Sequence, residues 1–242
     1  MDIGYIYGLI CSIIGAHEDY KKREVSDYLW VSMIWAGLLL HFNIIEFLGV
    51  VLVSISLKYN KLFYVGLVLF LISFLLFKSY FAVSFLIFYV VIILLYYLNF
   101  MGGGDCKFLL GLSYLKGVIF TFIIFLNAII FIIPLPILFF IINIKNKSYK
   151  GLKFKNFILL FISLKKDREK IKNFETIIGD DEKIFLIPKI NTNDGKEMEI
   201  TYSEKVWITP QIPFLVFIML SYILYMIYPF PVIFGIIKMF FN

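Results

Sequence analysis

The 242-residue sequence has little charge and almost no cysteine. Charged residues make up 17% of the chain and hydrophobic residues 61%, whereas soluble domains have roughly 25% and 45–50%. A mean hydropathy of +0.91 excludes a soluble globule, a disordered chain, a coiled coil and a collagen-like fibre. The two cysteines, Cys11 and Cys106, form neither a disulfide framework nor a zinc ribbon. We therefore expect an integral membrane protein with free thiols.

Histidine is equally scarce, which argues against the classes of protease that depend on histidine. The sequence has two histidines, His17 and His41, and no His-Glu-x-x-His motif, which excludes a zinc metalloprotease on motif grounds. Both precede Ser113, whereas a serine intramembrane protease needs a histidine after its serine. Cys106 invites a cysteine protease, but membrane cysteines are usually small packing residues. We expect no metal site and no cofactor.

Long apolar runs dominate what is present. A helix needs about 20 residues to cross the hydrocarbon core, fewer where the bilayer thins. The runs do not alternate apolar and polar residues as barrel strands would, so we expect helices. The runs cover residues 3–16, 28–57, 62–77, 81–100, 108–144 and 212–241.

Polar residues divide two of these runs. Residues 28–57 would make one helix of about 45 Å, but His41, Asn43 and Glu46 lie in its middle and favour a turn. The run 108–144 breaks near Lys116 and Gly117. The sequence predicts an all-α integral membrane protein, a multi-pass helical bundle of six to eight spans, with eight favoured.

A polar segment precedes the last run. Fourteen of the 23 basic residues and ten of the 17 acidic residues lie between Asn143 and Val206. We expect a membrane core over 1–144, a small cytoplasmic polar domain over 145–206 and a C-terminal membrane helix over 207–242. Within the polar segment, 149–164 suits an amphipathic interfacial helix and 183–190 is β-prone. This segment either docks substrate or only sets topology.

Basic residues in short loops predict the orientation, because such loops stay cytoplasmic. Lys21, Lys22 and Arg23 follow the first apolar run, and another lysine-rich stretch begins at Lys145. We therefore expect the end of the first run to face the cytoplasm. The net charge of +6 does not predict nucleic-acid binding, because no basic residues interleave with aromatic ones on a soluble patch.

Two aspartates stand at the edges of apolar runs, where a charge is costly and indicates function. Asp19 follows the first run, and Asp105 follows three consecutive glycines. The alternatives are a solvated loop acid paired with Lys22 or Arg23, and an N-cap aspartate at the start of a helix. Two close carboxylates that share a proton could activate water and protonate a leaving group without a covalent intermediate.

The surroundings of these aspartates resemble the type IV prepilin and archaeal preflagellin peptidases. The resemblance implies a Gly-x-Gly-Asp intramembrane aspartyl protease with Asp19 and Asp105 catalytic at the cytoplasmic face. It also implies that Gly102 and Gly104 are conformational residues of the motif and that Lys107 supports it. The stretches that carry the resemblance are residues 19–27, the glycine-rich motif 102–107 and residues 206–213 before the last span.

The resemblance implies a substrate as well. Type IV pilin-like or flagellin precursors have a short basic leader before a hydrophobic helix, so the implied partners are such precursors and the lipid bilayer. The implied location is the cytoplasmic membrane.

Two other readings stay open. A presenilin-like protease should have a Tyr-Asp pair and a Pro-Ala-Leu motif, and the sequence offers Pro134-Leu135-Pro136. A proton-coupled transporter also keeps membrane acids, as relay groups. No internal repeat is visible, and both aspartates lie at the ends of apolar runs rather than at their centres.

Overall fold

The structure, a computed structural model, describes residues 3–41, 44–56, 61–77, 80–98, 101–149, 152, 156–171, 174–179 and 205–229. These residues are mostly helical, as the sequence predicts. The helices are α1 (Ile3–Lys22), α2 (Asp27–His41), α3 (Ile44–Ser56), α4 (Lys61–Phe77), α5 (Tyr80–Tyr97), α6 (Gly103–Lys116), α7 (Val118–Ile132), α8 (Pro134–Lys145), α9 (Leu159–Ile162) and α10 (Phe214–Ile227).

The described helices have boundaries beside both predicted positions. The run 28–57 is divided between α2 and α3, and α6 is separated from α7 at Gly117, whose φ is +94°. Two apolar segments in the described residues, Tyr80–Tyr97 and Val118–Lys145, are long enough to cross a membrane. The number of spans stays a prediction.

The chain forms two compact units. The first comprises Met1–Ile130 and Pro213–Asn242, and the second comprises Phe131–Ile212. These bounds come from packing, whereas the predicted segments 1–144, 145–206 and 207–242 are positions relative to a membrane. The predicted segments therefore stay a prediction.

In the first unit, helix α1 buries its small side chains and exposes its large ones. Its exposed face carries large isoleucines, and its buried face carries small residues such as Gly8 and Ser12. Small residues let helix backbones approach closely within a membrane. A Cβ on Gly8 would lie 2.6 Å from the hydroxyl oxygen of Tyr222 in α10, and that hydroxyl donates to the Tyr5 carbonyl at 2.9 Å. This packing brings the end of α1 to the start of α10.

Helix α6 runs through the centre of the first unit. All its residues from Phe108 to Leu115 are buried, so apolar neighbours surround it on every side. It packs most closely on α2 and also contacts α1, α3 and α5. Because α6 is fixed along its length, its first turn, which carries Asp105, has a defined position.

The second unit contains a sheet, so the prediction of an all-α protein is wrong here. Strands β1 (Leu164–Asp167), β2 (Glu175–Gly179) and β3 (Lys205–Pro210) form an antiparallel sheet in the order β1-β3-β2. Strand β3 has the β-branched and aromatic residues that sheets favour, and its Val206, Trp207 and Ile208 are buried. The strands cover Trp207 together with Leu159 and Leu160 of α9.

The structure next to the sheet differs from two expectations about helices. The helix described within 149–164 is the four-residue α9, much shorter than the interfacial helix expected there. Residues 207–210, expected in the last membrane helix, belong to β3, and α10 begins at Phe214. The β-prone stretch 183–190 lies outside the described residues.

Candidate active site

Asp19 lies one turn before the end of α1 and is 6% exposed. Its Oδ2 accepts a hydrogen bond from the backbone N–H of Leu215 at 2.9 Å. Pro213 is the N-cap of α10, so this N–H belongs to the first turn, where backbone donors have no partner within the helix. The carboxylate thus caps α10 from another helix, and the positive end of the helix dipole favours its ionised form.

Asp105 occupies the third position of α6. Its Oδ2 accepts the N–H of Gly102, the N-cap residue, at 3.3 Å. Asp105 is therefore not itself the N-cap, which was the alternative reading of the sequence. Its carboxyl folds back over the helix start and is half-buried.

One cleft contains both aspartates. It has a volume of about 320 Å³, and it brings together every residue that the sequence singles out for the site. The catalytic role of these residues stays a prediction. The cleft is lined by Asp19, Arg23, Glu24, Val25, Asp27, Gly102, Gly103, Gly104, Asp105 and Lys107.

The two carboxyls, which lie outside the apolar runs, have unusual proton affinities. Burial and, to a smaller extent, the charge of Asp19 together raise the pKa of Asp105 to about 7, although the Gly102 N–H acts against the rise. Burial also raises the pKa of Asp19, but the Leu215 N–H and the Arg23 guanidinium act against it. The ionised form of Asp19 thus has two stabilising partners, whereas Asp105 has a negative neighbour. The arrangement favours a proton on Asp105.

The thiol of Cys106, next to Asp105, is unreactive as a nucleophile. Cys106 is fully buried, and burial together with the charge of Asp105 raises its pKa to about 12. A thiol nucleophile must be deprotonated to react. At neutral pH this cysteine is a protonated packing residue, in agreement with the sequence interpretation.

The glycines leave room rather than adopt an unusual backbone. Gly102 has φ −73° and ψ 154°, an extended conformation open to any residue. A Cβ at this position would lie 3.2 Å from Oδ2 of Asp105, a tight contact with the carboxylate. A Cβ on Gly104 would meet Val25 at 3.4 Å, an ordinary contact. The conformational role expected for Gly102 is thus space for the Asp105 carboxyl, and the packing at Gly104 is looser.

Lys107 joins two helix starts. Its Nζ donates to Oδ1 of Asp27 at 2.8 Å, and Nε1 of Trp30 donates to the same oxygen at 2.8 Å. Nζ also lies 5.5 Å from the centre of the Trp30 ring. Asp27 belongs to the first turn of α2. Lys107 therefore holds the start of α6 against the start of α2, and its supporting role in the site stays a prediction.

The loop between α1 and α2 has an anchor that sequence reasoning missed. The carboxylate of Glu18 accepts both the N–H and the hydroxyl of Ser26, each at 2.9 Å. Arg23 has φ +56°, so the chain turns sharply there. No motif spacing marks these contacts. They hold Glu24 and Val25 at the wall of the cleft.

The described residues contain no group of three or more His, Cys, Asp or Glu side chains that could hold a metal ion.

A profile of the type IV leader peptidase family matches residues 6–137, more than half of the chain, including both aspartates. The chain belongs to the type IV leader peptidase family. The resemblance seen in the sequence is thereby confirmed, and this chain is a peptidase by family.

Several relatives match over nearly their whole length. An uncharacterized protein of Methanocaldococcus jannaschii is 61% identical over 250 residues, which cover 99% of this chain and 98% of the relative. The preflagellin peptidase of the same organism is 28% identical, with 92% of each chain covered. The preflagellin peptidase of Methanococcus maripaludis is 28% identical over 91% of this chain and 93% of the relative.

Proposed function

We propose that this leader peptidase is an intramembrane aspartyl endopeptidase. It removes the basic leader of type IV pilin-like or flagellin precursors at the cytoplasmic membrane face. The observation that carries the proposal is the single cleft lined by Asp19 and Asp105, in which each carboxyl has a raised pKa. Perturbed carboxyls in one cleft are typical of acid–base catalysis.

The two aspartates have different roles. Asp19 is the ionised base, because the Leu215 N–H and the Arg23 guanidinium both favour its charged form. Asp105 is the protonated acid, because burial and the charge of Asp19 keep a proton on it near neutral pH. The two carboxyls titrate as a coupled pair.

Hydrolysis follows from these roles. Asp19 takes a proton from a water molecule as the water oxygen adds to the scissile carbonyl carbon. Asp105 gives its proton to the substrate, and the tetrahedral intermediate then breaks its C–N bond. The leaving amine receives the proton that Asp19 took from water, and Asp105 takes a proton back from a hydroxyl of the intermediate as the product carbonyl re-forms. The dyad thus returns to its starting state without a covalent intermediate.

The proposed membrane topology suits a substrate with a basic leader followed by a hydrophobic helix. Lys21 and Lys22 follow the apolar part of α1, and basic loops remain cytoplasmic. We propose eight spans, formed by α1 to α6, the continuous apolar stretch of α7 and α8, and α10. The hydrophobic helix of the precursor then lies in the bilayer while its leader stays in the cytoplasm beside the cleft. We further propose that residues 145–206 form a cytoplasmic segment.

Family membership does not by itself identify the precursor. Methanocaldococcus jannaschii contains both the 61% identical relative and a preflagellin peptidase that is 28% identical. The substrate panel must therefore include a pilin-like and a flagellin precursor.

The test is a cleavage assay in membranes, read as the size shift of a tagged precursor. Asp19→Asn and Asp105→Asn each remove an acid and keep the side-chain shape, so we expect each to abolish cleavage. Asp167→Asn, the same change at a partly exposed position in the second unit, is the matched control and should cleave as wild type does. Cleavage by either dyad variant at the wild-type rate contradicts the mechanism, provided that blotting shows equal insertion.

A further inference from the structure

Four carboxylates of the described residues line the cleft of the candidate active site, and that of Glu24 differs from the other three. Asp19 and Asp105 accept backbone N–H groups, and Asp27 accepts from the Lys107 ammonium at 2.8 Å. Within the part of the chain that the structure describes, Glu24 has no hydrogen-bond or ion-pair partner, and its side chain is exposed. This carboxylate can therefore bind a cation without giving up an existing contact.

The backbone on both sides of Glu24 is fixed. Before it, the N–H of Arg23 donates to the Asp19 carbonyl at 3.0 Å, and φ of Arg23 is +56°. After it, Val25 is partly buried against the hydrophobic core and lies where a Cβ on Gly104 would touch it at 3.4 Å. The Glu24 carboxylate is therefore attached to a defined part of the cleft wall. Only its own side-chain rotations remain to be ordered when it binds a ligand.

The cleft accommodates a short piece of an extended chain. Its volume of about 320 Å³ corresponds to a width of about 7 Å, which is about two residues of extended backbone at roughly 3.3 Å each. Under the proposed mechanism, the scissile carbonyl lies between Asp19 and Asp105. A substrate side chain that meets Glu24 then belongs to one of the residues next to the scissile bond.

The position of Glu24 in the chain indicates which side of the scissile bond it meets. Glu24 follows Lys21 and Lys22 in the loop after α1, and basic loops remain cytoplasmic. Under the proposed topology, the hydrophobic helix of the precursor lies in the bilayer, whereas the leader stays in the cytoplasm. Glu24 therefore lies on the side of the leader.

We infer that Glu24 is a specificity residue, whose carboxylate pairs with a basic side chain of the leader within about two residues of the scissile bond. The inference rests on the proposed function and adds to it the residue that selects the leader. The leader supplies a cation where the cleft has an available carboxylate, and such electrostatic complementarity gives specificity. The alternative is a solvated acid that balances Lys21 and Lys22 and does not contact the substrate.

The test compares cleavage of two tagged precursors in membranes, one with its basic leader and one whose leader lysines and arginines are replaced by glutamine. The measured quantity is the ratio of kcat/KM for the basic leader to kcat/KM for the neutral one. Glu24→Gln should lower this ratio about threefold, within the range of an exposed ion pair. The loss should lie in KM, because the pair forms equally in the bound substrate and in the transition state. Glu169→Gln, the same change at an exposed position of the second unit, is the matched control and should keep the wild-type ratio.

Charge reversal on both partners separates the contact from a folding defect, because a damaged fold lowers both rates and leaves their ratio unchanged. In a third precursor, glutamate replaces the basic leader residue nearest the scissile bond. Glu24→Lys should raise kcat/KM for this acidic leader relative to the basic one by about tenfold or more, since an attraction and a repulsion, each of roughly threefold, exchange leaders. An undiminished preference of Glu24→Lys for the basic leader would overturn the inference.

A lysine scan distinguishes a contact from general attraction. A single lysine is moved one position at a time along an otherwise neutral leader, and the effect of Glu24→Gln should appear only when the lysine is near the scissile bond. An equal effect at every position would mean long-range attraction to a solvated acid and would refute the contact. If the wild type cleaves no precursor, the proposed function fails and this inference with it. Normal cleavage with an unchanged ratio in Glu24→Gln refutes this inference alone.

Discussion

Cleavage should fall steeply above neutral pH, because the acid of the dyad loses its proton there. Burial and the charge of Asp19 raise the pKa of Asp105 to about 7, while its ordinary value is 3.8. As the proposed general acid, Asp105 must be protonated when substrate binds. The pH dependence of kcat/KM reports such groups in the free enzyme.

The size of the fall follows from the pKa. With a pKa of about 7, about a half of Asp105 is protonated at pH 7, about a tenth at pH 8 and about a hundredth at pH 9. We therefore expect kcat/KM to drop about fivefold from pH 7 to pH 8 and about tenfold from pH 8 to pH 9. On the acid side the rate falls as Asp19 becomes protonated, at a pH above the ordinary range of an aspartate because its pKa is also raised.

The assay measures initial cleavage rates at precursor concentrations below KM, from pH 5 to pH 9, with each sample returned to neutral pH as a control for irreversible damage. Arg23→Gln removes a charge that favours ionised Asp19, so it should move the acid limb to higher pH and leave the alkaline limb in place. A rate that rises about twofold between pH 7 and pH 9 and then stays level would refute the assigned roles, because Asp105, which is about half ionised at pH 7, would then act as the base. A flat profile would refute the dyad.

Three further outcomes test the site. Asp105→Asn should raise the melting temperature at pH 8 but not at pH 4, which thermal-shift curves at both pH values can check. The pKa of this carboxyl is near 3.8 in the unfolded chain and near 7 in the folded one. The wild type therefore loses stability as the pH rises between these values, and the asparagine variant does not. Gly102→Ala should lower kcat/KM by about tenfold or more, because its Cβ would crowd the Asp105 carboxylate at 3.2 Å. Gly103→Ala, whose Cβ would have its nearest contact at 3.6 Å, should stay near wild type, and equal losses would contradict the steric argument. Ser26→Ala should lower the free energy of unfolding by about 1 kcal/mol in denaturant titrations by losing a hydroxyl bond to Glu18, and an unchanged midpoint would count against that anchor.

The helical part of the fold could be predicted because each membrane helix corresponds to an apolar run in the local sequence. The polar residues within 28–57 predict a turn, and the structure ends α2 at His41 and begins α3 at Ile44. The sheet could not be predicted in the same way, because β3 pairs with strands about 30 and 40 residues earlier in the chain, and such pairings depend on packing rather than on local pattern. Trp207 is an example, since its burial depends on α9 and β2 as well as on its own strand.

In the candidate site as well, some residues could be predicted from local sequence, whereas contacts that depend on packing could not. Asp19 and Asp105 could be found because a charge at the edge of an apolar run is costly. The Leu215 N–H could not be found, because every non-proline residue has such a donor and only the packing of α1 on α10 selects this one. Lys107 could be singled out because it belongs to the glycine-rich motif, but its partner Asp27 depends on how two helix starts meet in space.

The hydrogen bond from Leu215 to Asp19 has a consequence for biosynthesis. The donor is made 196 residues after the acceptor, so a ribosome working at about 5 to 20 residues per second needs about 10 to 40 s to supply it. During that interval Asp19, near the end of α1, lacks the helix start that favours its ionised form. Under the mechanism proposed above, cleavage therefore begins only when α10 is in place, because Asp19 lacks its helix-start donor until then.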